Sequence, residues 1–141
     1  MFTIQFWDAL DFIGVSGYYP LVNADAPTRA QLVAAWQPVV ADLGALSAKW
    51  HRKVLFTELG YRSADRAAWK QWELKDGDRA NPQLQADAYT AFFEAVWPQP
   101  WVAGVYWWRA HSYRYIDRQG NGFEIEKKPA EEVVKSHYRS R

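Results

Sequence analysis

Cysteine is absent from this 141-residue chain, which excludes a disulfide framework and a thiolate metal site. No surplus of either charge exists: 17 Lys and Arg stand against 16 Asp and Glu. They are spread along the chain, so the electrostatic footprint of a nucleic-acid binder is missing. Only three histidines occur, scattered and without metal-ligand spacing, so neither a metal nor another cofactor is expected. No apolar run approaches the ~20 residues that cross a bilayer, which excludes a membrane span. The opening MFTIQFWDALDF lacks the basic n-region and small-residue cleavage site of a signal peptide, and localisation stays open. Gly14 and Gly17 do not form a phosphate-binding fingerprint.

Aromatic residues, by contrast, are abundant: nine Trp, eight Tyr and seven Phe. A core of this size needs fewer, and planar rings make good platforms for sugars or bases. The length suits a single domain over residues 1–141. Three β-prone runs stand out, Phe12 to Tyr19, Val54 to Leu59 and Val102 to Trp108, each followed by a loop and a helical pattern. Thr28-Arg29-Ala30-Gln31 reads as a capping box. Behind it, Leu32, Trp36, Val39, Leu43, Leu46 and Trp50 recur at helical spacing, with Pro38 expected to kink the helix. A polar loop from Ser63 to Ala80 precedes Asn81-Pro82, an N-cap with proline at the first helical position. Leu84, Ala88, Phe92 and Ala95 form the stripe of that second helix, and a short third helix starts at Pro129. Near-continuous apolar strands alternating with helices predict an α/β fold of three parallel βα units, with the strands covered on both faces.

In parallel βα units the loops that follow the strands gather at one edge, where ligand sites form. Tyr18 and Tyr19, Glu58 with Arg62, and Trp107, Trp108, Arg109 and His111 all fall at such strand ends. Glu58 poses the sharpest question, because a buried carboxylate without partners is costly. It is either a functional carboxylate or a structural one paired with Arg62 or Arg109. Neighbouring residues on a strand face opposite sides. Of Trp107 and Trp108, therefore, one should reach the rim and the other pack beneath a helix.

The segments DFIGVSGYYPL, KVLFTELGYRS, VAGVYWWRA and KKPAEEVV, in that order, resemble the last three βα units of glycoside hydrolase family 113. These are retaining β-mannanases of clan A, built on a (β/α)8 TIM barrel. The resemblance implies a partial TIM barrel, strands six to eight, and a β-mannan-type oligo- or polysaccharide as substrate. It implies that Glu58 is the catalytic nucleophile and that Tyr19 or Tyr18 hydrogen-bonds it, with Tyr19 preferred. Trp107 or Trp108 would floor the sugar subsite, with Arg62, Arg109 and His111 as further substrate-binding residues. The clan's acid/base is a glutamate, usually after asparagine, on strand four. No Asn-Glu pair occurs in the sequence, and the region expected to carry it would precede residue 1. Glu73, Asp76, Asp78, Asp117 and Glu124 are the loop acids that would have to stand in.

Three strands of a barrel leave two unpaired edges and open apolar faces, which promote association. A homo-oligomer, with a dimer favoured, or complementation by an N-terminal fragment is therefore expected. The chain would be inactive or weakly active by itself. The competing expectations are a sugar-binding module without turnover and an inactive truncated fragment.

Overall fold

The computed structural model describes residues 4–75, 77–111 and 117–139. Strands β1 (Phe12–Ser16), β2 (Lys53–Leu59) and β3 (Val102–Trp107) alternate with helices α1 (Arg29–Trp50), α2 (Pro82–Ala95) and α3 (Pro129–Arg139). The strands form one parallel sheet in the order β1-β2-β3.

Helices α1 and α2 start where their caps were expected, and α3 starts at Pro129. The Gln31 amide donates to Thr28 Oγ1 while the Thr28 amide donates to Gln31 Oε1 (2.8 Å), so the capping box is complete. Asn81 Oδ1 accepts from the Leu84 amide at 2.9 Å, with Pro82 at the first turn. Helix α1 runs through Pro38 to Trp50 and ends on His51 in the left-handed conformation.

The core lies between the sheet and one layer of helices. Ile13, Val54 and Phe56 are fully buried against Leu32, Trp36 and Phe92, and Trp36, Phe56 and Phe92 meet edge to face. The expectation that helices cover both faces is corrected here. The opposite face keeps Phe12 (46% exposed) and Tyr106 (66%) open, together with Gly14, Ser16 and Thr57. Such a face is what the inside of an incomplete α/β barrel looks like: its covering side chains would come from strands across the lumen.

The segment from Ser63 to Ala80 is also more structured than its polarity implied. Ala64, Ala67 and Ala68 are fully buried, Ala64 bridges Ala80, and a 3-10 turn spans Gln71–Glu73. Among the described residues no helix is long and apolar enough to cross a membrane.

Candidate functional site

Strict alternation along β2 would point Glu58 the same way as Val54 and Phe56, into the core. The pairing register slips between Val15 and Ser16 and again between Phe56 and Leu59. This break leaves Thr57 and Glu58 both exposed and returns Leu59 to the core. A register slip of this kind re-aims a side chain to the other face. Glu58 therefore stands on the open face at the C-terminal end of the middle strand, and the desolvation cost of a buried acid does not arise.

Tyr18 comes to this carboxylate. Its phenol is pushed well above the ordinary tyrosine value, first by burial, then by the Glu58 charge and by its hydrogen bond to Glu58. Tyr19, the preferred candidate of the two, packs its ring edge-on against Trp36 at 5.7 Å. Burial, with a smaller contribution from Asp42, pushes its phenol up to about 12. The Tyr19 amide bonds back to the Gly17 carbonyl at 2.9 Å, closing a three-residue turn centred on Tyr18.

The tryptophan pair divides as alternation requires. Trp107 belongs to the core, with rings of Tyr89, Phe92 and Phe93 centred 5.0–5.5 Å away, and its Nε1 donates to the Tyr138 hydroxyl at 3.3 Å. Trp108 is 43% exposed at the rim. Its amide donates to the Leu59 carbonyl at 2.7 Å, and the Trp108–Arg109 peptide is cis. Gly60 passes directly beneath: a Cβ there would lie 1.7 Å from the Trp108 carbonyl oxygen, so only glycine fits.

Arg62, expected at the substrate, is 8% exposed. It donates to the carbonyls of Asn121 (Nε, 3.0 Å) and Leu74 (Nη1, 3.0 Å) and to Asn121 Oδ1. It ties the loop after β2 to the loop after β3. Arg109 and His111 converge instead on Glu124 Oε1, through Arg109 Nε at 2.9 Å, Arg109 Nη2 at 2.8 Å and His111 Nε2 at 3.1 Å.

A cleft of about 420 Å³ opens beside these residues, lined among others by Trp108, Arg109, Arg118, Phe123 and Glu124. Phe123 meets Tyr18 edge-on at 6.5 Å, so the cleft wall is coupled through Tyr18 to Glu58. A second cavity, of about 410 Å³, lies along the loop after β2. Its charged walls are occupied with one another, as in the Asp65–Arg79 and Lys70–Glu73 pairs.

Among the loop acids, Asp117 accepts from the Gly120 and Gly122 amides and from Lys128 Nζ at 2.8 Å. Burial raises its value, but these donors outweigh it and hold the carboxyl below the usual range. Glu124 is likewise raised by burial and brought lower overall by its own amide, Arg109 and His111. Glu73 pairs with Lys70, Asp78 accepts from the Lys75 amide, and Asp76 lies outside the described residues. Sequence reasoning missed the role of Phe123 and Asn121. The spacing of Asp117, Gly120 and Gly122 was the available signal that this loop folds tightly on itself. Among the described residues no group of His, Asp and Glu side chains could hold a metal ion.

Comparison with known proteins follows the same lines. The family model described as Glycoside Hydrolase Family 113 matches residues 2–128. A solved structure of a GH113 β-1,4-mannanase superposes with a TM-score of 0.79 at 31% identity, over 98% of this chain and 42% of that one. The GH113 β-mannanase AaManA from Alicyclobacillus acidocaldarius, solved in complex with ManMIm, superposes with a TM-score of 0.78 at 25% identity, over 99% of this chain and 42% of that one. The chain thus spans about two-fifths of the length of these relatives. No curated protein matches it.

Proposed function

Because the chain belongs to glycoside hydrolase family 113, we propose that it forms the strand-six-to-eight portion of a retaining, β-mannanase-like site with Glu58 as nucleophile. One observation carries this reading: the register slip in β2 turns Glu58 out of the core, onto the open face beside Tyr18. In a retaining hydrolase one carboxylate oxygen attacks the anomeric carbon, and the bond to the leaving oxygen breaks as that oxygen takes a proton. Tyr18 orients the attacking carboxylate, and Trp108 offers its face to the sugar ring.

Proton donation falls to a carboxyl supplied by another polypeptide. Asp117 and Glu124 are held as carboxylates by their cationic partners, which suits neither to the acid's role. Positioned proton transfer is worth roughly 100- to 10,000-fold, so the chain alone should turn over natural β-mannan very slowly. The edges of β1 and β3, unpaired among the described residues, and the open face between them are the place for a polypeptide bringing the acid. A second copy or a segment bearing the preceding βα units would serve.

Turnover of β-1,4-manno-oligosaccharides on size-resolved fractions tests this. The proposal expects saturable binding in every fraction, turnover only where the sheet edges are covered, and no turnover for Glu58→Gln. Turnover that survives Glu58→Gln would overturn it. The ion-paired state of Asp117 and Glu124 also favours a second reading, a module that binds glycan without cleaving it. That reading predicts binding but no turnover in any assembly.

A further inference from the structure

Glu124 raises a question that stability does not answer. It is 4% exposed, three nitrogens converge on its Oε1, and among the described residues no donor reaches its buried Oε2. An idle buried carboxylate oxygen is costly, and a buried ion pair is weak evidence for stability in any case. The backbone nevertheless makes room for it. A Cβ at Gly122 would press on Oε2, so glycine lets the carboxylate lie where it does without shifting.

We propose that Glu124 is a positioning residue, fixing the Arg109 guanidinium in the wall of the Trp108 cleft so that Arg109 and Trp108 together grip a sugar ring. This rests on the saccharide reading of the cleft given above. The Arg109 Nε hydrogen bond and the Nη2 ion-pair contact to one oxygen, with His111 on the same atom, define the guanidinium plane. Arg109 follows Trp108 directly, so fixing one restrains the other. Residue 123 of the same short segment braces Tyr18. Residues 122–124 therefore set two parts of the rim at once: Trp108 with Arg109 on one side, and Tyr18 with Glu58 on the other.

The test compares the parent chain with Glu124→Gln, Arg109→Ala and the double variant, using mannotetraose as the probe and thermal melting as the control. Replacing an ionised acceptor by an amide weakens the hydrogen bonds it receives. Glu124→Gln should lower affinity about 10-fold when binding is measured well below its melting temperature, so that its loss of stability does not enter. Arg109→Ala should lower it similarly, and the double variant should bind no worse than Arg109→Ala alone. Additive losses would overturn the proposal. So would a Glu124→Gln chain that melts much earlier yet binds normally while folded.

A ligand-free readout keeps the inference separate from the function it rests on. The Arg109 Nε–H signal in an ¹⁵N spectrum should exchange slowly in the parent chain and rapidly in Glu124→Gln. If the parent chain binds no mannotetraose, the saccharide reading falls. If the Nε–H signal is the same in both chains, the positioning claim falls whatever the binding result.

Discussion

At the scale of single residues, adjacent and chemically identical side chains are sorted by which way the backbone carries them. Tyr18 reaches Glu58 while Tyr19 joins the core beside Trp36. A hydrogen bond to a charged group contributes about 1.5–3 kcal/mol. Tyr18→Phe should therefore slow the reaction of Glu58 with an activated glycoside by roughly 10- to 100-fold, whereas Tyr19→Phe should leave it nearly unchanged. Pre-steady-state release of a chromogenic leaving group measures both. The tryptophans separate in the same way. Trp107→Ala removes a ring packed among Tyr89, Phe92 and Phe93 and should cost about 3 kcal/mol of stability. Trp108→Ala should leave urea unfolding nearly unchanged and weaken mannotetraose binding. A Gly60→Ala chain must push the Trp108 carbonyl aside, and overpacking of this kind costs about 1–3 kcal/mol. Its melting temperature should fall together with its sugar affinity.

At the scale of elements, strands and helices were legible because each carries its own signal. The apolar runs marked β1 to β3, while Thr28 with Gln31 and Asn81 with Pro82 marked the helix starts. Two things were not legible. The β2 register slip is decided by pairing with β1 and β3, and nothing within Val54–Leu59 announces it. Arg62 looked like a rim cation, yet its destination depends on carbonyls at Leu74 and Asn121, which only the folded loops bring together. The same loops predict an acid response. Asp117 and Glu124 have folded-state values below those of free carboxylates, so their contribution is present at neutral pH and is lost as pH falls through the folded values. Free carboxylates titrate near ~4, so the loss should set in below that point. Urea unfolding at stepwise lower pH should show a steep acid limb for the parent chain and a shallower one for Asp117→Asn. Equal limbs would remove Asp117 from the account.

At the scale of the whole molecule, the sheet is covered by helices on one face and open on the other. Tyr106 and Phe12 are exposed there, and both outer strands have unpaired edges among the described residues. Unpaired parallel edges and large rings left open on an uncovered face favour association. Light scattering should therefore give a mass above the 16.4 kDa of one chain; a stable monomer would mean that the face is tolerated in water. The central claim, that Glu58 is a nucleophile, can be tested with a substrate that needs no proton donor. A dinitrophenolate leaves without a proton, and fluorine at C2 slows hydrolysis of the glycosyl-enzyme. The measurement is intact-mass and peptide mass spectrometry of the chain after incubation with 2,4-dinitrophenyl 2-deoxy-2-fluoro-β-mannoside. The account predicts one covalently bound sugar per chain, mapped to Glu58 and absent from Glu58→Gln. An unlabelled chain that still binds mannotetraose, or a label mapped to another residue, would contradict it.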